Sequence, residues 1–279
     1  MSILVFVGLV WLISFVAGFF GSLTGLGGGA VIVPALSLLF GVDIRYAIGA
    51  SLVSIIATSS GAASAYVREG YTNIRIGMFL EIATTFGALF GAAIAEHVST
   101  QAIAIVFGVF LVYSAVQSFL LIHHDGSIPL PQNALATRLK LNGEYPSGGR
   151  SESYLVQNVP AGFGMMFGAG ALSGLLGVGS GPLKVIAMDR AMKLPFKVST
   201  TTSNFMIGVT AAASAGVYLS RGYIQPVVTM PVMTGVLIGA FIGSKVLIRA
   251  QVPLLRKIFA VVILFIALEM IYNGMTGRL

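Results

Sequence analysis

Long apolar runs separated by short polar punctuation set the pattern of this chain. The runs Ile3–Phe20, Ile44–Val67, Ile74–Ala95, Ala102–Ile122, Pro226–Leu247 and Ile258–Tyr272 approach or exceed the roughly 18–20 residues that a helix needs to cross a bilayer. The segments fall into two sets of five. The first set covers 3–24, 30–41, 45–68, 74–96 and 101–122; the second covers 156–176, 182–192, 197–220, 224–247 and 253–273. The second member of each set is about twelve residues long, or about 18 Å of helix, too short to span hydrocarbon. Between the sets lies the one long polar stretch, His123 to Asn158, with Pro129, Pro131, Pro146, Gly148 and Gly149. It reads as an extramembrane linker that is disordered in part. The pattern predicts an all-α polytopic membrane protein.

The two sets are copies of one unit. Gly25-Leu26-Gly27-Gly28-Gly29 returns as Gly177-Val178-Gly179-Ser180-Gly181, an offset of 152 residues. Without a gap, the same offset aligns Val33 with Val185, Ser51 with Ser203, Ile55 with Ile207 and Thr58 with Thr210. It continues through Tyr66 and Tyr218, Gly70-Tyr71 and Gly222-Tyr223, Met78 and Met230, Gly87/Gly91 and Gly239/Gly243, and Phe107 and Phe259. One register held over some eighty residues is an internal duplication, a hallmark of secondary-transporter folds. The organisation is a first transmembrane repeat over 1–122, a linker over 123–158 and a second repeat over 159–279, forming one transport domain.

Composition agrees: 56% of residues are hydrophobic and 9% charged, where a soluble domain carries about a quarter charged. The net charge of +7 sits mostly in short loops, so it speaks for membrane orientation and against nucleic-acid binding. With no cysteine, disulfides, thiol catalysis and thiolate metal sites are excluded, and no cofactor is expected. No Lys or Arg precedes Ile3–Phe20; with its repeat partner deep in the chain, this segment is expected to belong to the mature protein rather than to a cleaved signal.

Charge also chooses a topology. The first two segments of each set form either one broken helix or a hairpin with its glycine tip inside the membrane. A hairpin makes the repeats inverted. It then places Arg68, Arg75, Arg138, Lys140, Arg150, Arg190, Lys193, Lys197, Lys245, Arg249, Arg256 and Lys257 on one face, and Arg45, Arg221 and Arg278 on the other. A broken span splits the same bases eight to seven, against the positive-inside rule. The inverted reading puts the linker in the cytoplasm and both termini outside.

In that arrangement the glycine tips meet near the midplane, where irregular backbone survives only if it is buried in protein or lines a wet cavity. Short helices begin at about Ala30 and Pro182, and their N-termini would offer N–H groups and positive dipole ends to an anion. The candidate ligands are Gly25, Gly27, Gly28 and Gly29 of the first tip, and Gly177, Gly179, Ser180 and Gly181 of the second. Lys184, one turn into the second short helix, either adds a positive charge or snorkels to the cytoplasm. Ser51, Ser54 and Thr58 form a hydroxyl stripe on one helical face, repeated by Ser203 and Thr210 and extended by Asn204. Such groups bind an oxyanion through neutral hydrogen bonds or act as interhelical glue. Gly87/Gly91 and Gly239/Gly243 read as packing pairs. Glu81 and Glu269 lie inside apolar runs and are candidates for proton coupling.

With Gly21-Ser22-Leu23-Thr24-Gly25-Leu26-Gly27-Gly28-Gly29 followed by Pro34, and with Ala47-Ile48-Gly49-Ala50-Ser51-Leu52, the chain resembles the sulfite exporter TauE/SafE family, also called the toluene-sulfonate uptake permease family. Ala65-Tyr66, Gly70-Tyr71, Gly87, Gly91 and Thr202-Ser203-Asn204-Phe205 fit as well. Two departures fall at the proposed site: Gly49-Ala50-Ser51 replaces the family's usual Gly-Thr-Ser, and Ser180 interrupts the second glycine triplet. The resemblance implies a carrier in the bacterial inner membrane for sulfite or a small organosulfur anion such as sulfoacetate, working by alternating access in the direction of export. The partners expected are that anion and the lipid bilayer, with room for a homodimer. A channel of the same architecture is the alternative. An intramembrane serine protease built on Ser180 lacks a base, since His97, His123 and His124 lie at membrane edges or in the linker and no Gly-x-Ser-x-Gly frame surrounds the serine.

Overall fold

The computed structural model describes residues 2–24, 28–68, 71–120, 133–147, 150–247 and 252–278. Gly25 and Gly27 lie outside the described residues, as do the side chains of Arg68, Arg150, Lys245, Arg249, Arg256 and Lys257 from the charge count.

The first repeat builds α1 (Ile3–Thr24), α2 (Gly29–Pro34), α3 (Ile44–Arg68), α4 (Ile74–Ile94) and α5 (Thr100–Leu120). The second builds α7 (Val159–Leu176), α8 (Gly181–Ile186), α9 (Phe196–Ser220), α10 (Pro226–Leu247) and α11 (Val252–Thr276). These bounds follow the ten apolar segments closely. Each short helix runs on into a π turn, Ala35–Leu39 or Ala187–Ala191. Pro34 precedes the first turn and Ile186 the second, so the π turn belongs to the repeat and not to the proline.

The short legs fold back along their partners. Phe6, at the start of α1, meets Phe40 edge to face at 5.4 Å. In the second repeat the Gln157 N–H donates to the Met192 carbonyl at 2.9 Å, and Gly162 faces the Met192 side chain. Both pairs close a hairpin whose far end is the glycine tip.

The two repeats are interleaved. α1 packs on α10 and α4 on α7, while α3 packs on α9 and α5 on α11. Gly87 faces Phe167 and Ala171, and Gly239 faces Phe15 and Phe19; each contact is the other displaced by 152 residues. Gly18 on Val236 and Gly170 on Thr84 are a second such pair. A Cβ at these glycines would strike the neighbouring backbone, so small residues are what allow the approach. Gly235 lies by Trp11 and Ser14 while Gly239 lies by Phe15 and Phe19, so α1 and α10 run parallel. Gly108 lies by Ala267 and Ile271 while Gly274 lies by Gln101 and Ala104, so α5 and α11 run antiparallel.

Among the described residues, five helices, α1, α4, α5, α7 and α10, are long and apolar enough to cross a membrane, and the chain is a multi-pass membrane protein, all-α outside its linker. Exposed Leu4, Phe86, Phe241 and Phe265 form an outer apolar surface suited to lipid. The hydroxyl-rich α3 and α9 take the centre, where Ser51, Ser54, Thr202, Ser203, Thr210 and Ser214 are buried.

Part of the linker is ordered. Over 133–147 and 150–154, α6 (Ala134–Arg138) is capped by Asn133, and β1 (Gly143–Ser147) pairs antiparallel with β2 (Arg150–Tyr154). Its apolar side chains explain this, since Leu141, Tyr154 and Val156 share a buried cluster with Met188, Met192 and Leu194. Asn73, the N-cap of α4, locks it by donating to the Tyr154 hydroxyl at 2.7 Å and the Leu141 carbonyl at 3.2 Å. Arg45 donates to the carbonyls of Ala95, Glu96 and Val98, and Arg221 to those of Ala92 and Ala93 while pairing with the Glu96 carboxylate at 3.2 Å. Two of the bases assigned to the sparse face are thus held at the negative end of α4.

Candidate functional site

The second tip is a left-handed turn. α7 stops at Gly177 (φ +65°), whose N–H donates to the Ser173 carbonyl at 2.8 Å, and Gly179 (φ +71°) and Ser180 (φ +47°) follow. Only glycine takes this conformation at no steric cost, so Ser180 is held there by its surroundings. Space is equally short: a Cβ would lie 2.7 Å from Ile48 at Gly177 and 2.8 Å from Ile207 at Gly179. Pro182 occupies the first turn of α8, as the sequence suggests. The Ser180 hydroxyl is buried without a hydrogen-bond partner.

The two repeats touch at this point. Gly29, the first residue of α2, leaves a hypothetical Cβ only 2.5 Å from the Ser51 hydroxyl and 2.8 Å from the Gly177 carbonyl. Ser51 donates to that carbonyl at 2.7 Å, and Ser203 donates to the Gly181 carbonyl at 3.2 Å. These hydroxyls brace the loop backbone. Ser54 and Thr58 bond back to their own helix, at Ser51 and at Ser54 and Ile55. Gly28 is buried beside Gly29, and Asn204 is half-buried on α9.

A buried polar chain adjoins the tip. Lys184 on α8 is fully buried and donates from Nζ to the Thr210 hydroxyl at 2.6 Å; that hydroxyl lies 2.7 Å from Glu81 Oε1 as its donor. Thr85 also donates to Oε1 at 3.3 Å, while Glu81 Oε2 is buried without a partner. Lys184 therefore turns inward to α9 and α4 instead of snorkelling, and Glu81 does not reach the interface beside Arg75. Glu269 stands apart, exposed on α11 with Asn273 Nδ2 at 3.2 Å. The sequence shows Thr210 only as the repeat of Thr58 in the hydroxyl stripe; its place between Lys184 and Glu81 is what the structure adds. The available signal was asymmetry: across the 152-residue offset Thr210 matches Thr58, but Lys184 falls on Ile32 and Glu81 on Met233. Among the described residues no cluster of three or more acidic or histidine side chains is placed to hold a metal ion.

The family model described as "Sulfite exporter TauE/SafE" matches residues 10–270. "Probable membrane transporter protein YunE" of Bacillus subtilis (strain 168) is 28% identical over 98% of this chain and 97% of its own length. YdhB of the same strain, also named a probable membrane transporter protein, is 25% identical over 85% and 89%. A "Probable membrane transporter protein" of Xylella fastidiosa (strain 9a5c) is 22% identical over 98% and 96%. No solved structure matches the chain.

Proposed function

As the chain belongs to the sulfite exporter TauE/SafE family of membrane transporters rather than to any enzyme family, we propose that it is a secondary carrier for a small sulfur oxyanion, sulfite or an organosulfonate such as sulfoacetate. The contact of Gly29 with Gly177, beside the buried, unpartnered Ser180 hydroxyl, carries this reading. Two hairpin tips from separate repeats converge there, and polar groups without protein partners in an apolar surround favour a polar ligand. The anion is held by tip N–H groups, by Ser180 and by the cationic end of Lys184.

In this reading the repeats are inverted. The exchanged glycine contacts support a two-fold relation between them. A helix packed antiparallel on its own repeat partner, as α5 is on α11, fits an axis lying in the membrane plane. The bacterial inner membrane, a cytoplasmic linker and outward termini follow from the distribution of basic residues. Export by alternating access then rocks one repeat against the other around the shared tips.

The test is ³⁵S-sulfite counterflow in proteoliposomes, with sulfate, thiosulfate and sulfonates as competitors. Saturable counterflow is expected of the wild type, which separates a carrier from a channel of the same architecture. Gly29→Leu and Gly179→Leu should remain monodisperse and lose the flux, because a side chain fills the tip contact. Full sulfite flux in both variants overturns the central-site reading.

A further inference from the structure

We propose that Glu81 is the protonation site that moves with the anion, so that one proton accompanies each anion carried; this rests on the reading of the tips as the anion site. The inference starts from a broken symmetry. The fold places Ile32 and Met233 where the second repeat's Lys184 and the first repeat's Glu81 stand, and it packs Ile32 to 1% exposure. Thr58, in the place of Thr210, simply bonds back to its own helix. An apolar pair therefore satisfies the same positions in the same architecture, and nothing in the packing requires a lysine and a carboxylate. Buried ion pairs are poor sources of stability beside well-packed apolar residues, so the charged version is retained for something the apolar version cannot do.

The geometry indicates what that is. Lys184 sits one helical turn after Ser180 at the tip and uses one of its three N–H donors, on Thr210. Thr210 relays to Glu81 Oε1, and Oε2 remains open. Without an anion, ammonium and carboxylate cancel. When an anion settles against Lys184, the buried group carries one excess negative charge, which low dielectric makes costly. A proton on Oε2 restores neutrality, and the proton and the anion then leave together. Surrounding charges do not offer another route. α7, packed on α4, carries no titratable side chain. On α9 the other such groups are Lys197, exposed near its start over the Tyr71 ring, and Tyr218, buried at the far end with its hydroxyl on the Gly174 carbonyl. Arg75 is exposed at the first turn of α4.

The experiment compares wild type with Glu81→Gln in proteoliposomes, membrane potential clamped at zero, reading steady-state ³⁵S-sulfite accumulation with and without a pH step of one unit. One proton per anion raises accumulation about tenfold per pH unit, and sulfite's own titration contributes equally to both proteins. The wild-type response should therefore exceed that of Glu81→Gln about tenfold. Glu81→Asp, which keeps a protonatable carboxyl and leaves Lys184 in place, guards against misfolding of the single variant; it should retain the response. If Glu81→Gln responds to the pH step as wild type does, or if Glu81→Asp carries sulfite without responding, proton coupling through Glu81 is overturned while the anion site stands. A wild type that carries no sulfite overturns the anion site itself, and this inference with it.

Discussion

Lys184, Thr210 and Glu81 allow a sharp energetic prediction, because the protein contains its own apolar control. Replace Lys184 with Ile alone, and a 9%-exposed carboxylate keeps two hydroxyl donors but loses its cation. Breaking a buried pair from one side costs about 3–5 kcal/mol. The loss has a ceiling, since the orphan can shed its charge: at pH 7 that costs about 4 kcal/mol for a carboxyl of ordinary pKa near 4.3 and about 5 kcal/mol for an ammonium near 10.4. Each single variant, Lys184→Ile or Glu81→Met, should therefore lose about 3–4 kcal/mol. Additivity would put the double at roughly 7 kcal/mol, whereas a volume-conserving apolar pair at these positions should lose only about 1 kcal/mol. The signs of the pH response differ as well. The Lys184→Ile defect should shrink by about 1.4 kcal/mol per unit as pH falls, because the carboxyl takes up its proton more cheaply; the Glu81→Met defect should shrink as pH rises. Equilibrium unfolding in mixed micelles between pH 6 and 8 measures all four proteins. Additive losses, or singles insensitive to pH, refute a coupled buried pair.

Two further tests address the scaffold. Gly91→Ala should cost about 1–3 kcal/mol because its Cβ strikes the Ala171 backbone, whereas Gly168→Ala on α7, with nothing within 4 Å, should be neutral or gain up to about 1 kcal/mol; the same unfolding assay compares them. Tyr154→Phe should cost about 1 kcal/mol through the lost Asn73 bond. Burial pushes the Tyr154 phenol above its usual range, so the wild type loses this contribution only as pH climbs past the ordinary tyrosine value near 10, and the variant's melting curve should lack that alkaline component.

The backbone plan was legible in the sequence because bilayer span and helix rise are fixed lengths. Segment ends such as 74–96 and 197–220 return as Ile74–Ile94 and Phe196–Ser220, and twelve-residue segments had to turn back or break. The ordered part of the linker was not legible, for a compositional reason. Its prolines and glycines suggested disorder, while Leu141, Tyr154 and Val156 are too few and too scattered to signal a core by periodicity. They bury in a cluster with Ile76 and Leu80 of α4 and Met188, Met192 and Leu194 of the second hairpin, surfaces absent from the linker's own sequence. The charged chain was hidden by separation: Glu81 and Thr210 are 129 residues apart, and no local pattern joins them.

The hydroxyls teach a different lesson about what a motif can say. Ser51 and Ser203 occupy equivalent places in the two repeats, and both were candidates to touch the anion. Instead, Ser51 reaches across to the Gly177 carbonyl, and Ser203 stays with the Gly181 carbonyl of its own repeat. A trans peptide points its N–H opposite to its C=O, so pinning the Gly177 oxygen against Ser51 turns the Val178 N–H away from α3. Pinning the Gly181 oxygen frees no such donor, since Pro182 follows. The hydroxyls thus decide which backbone groups remain available to a ligand. This also accounts for the glycine at position 29. Any side chain there would push Ser51 off the Gly177 carbonyl and release the peptide whose orientation it sets. A Ser51→Ala variant should therefore impair sulfite counterflow by releasing the Gly177 carbonyl and the peptide that follows it.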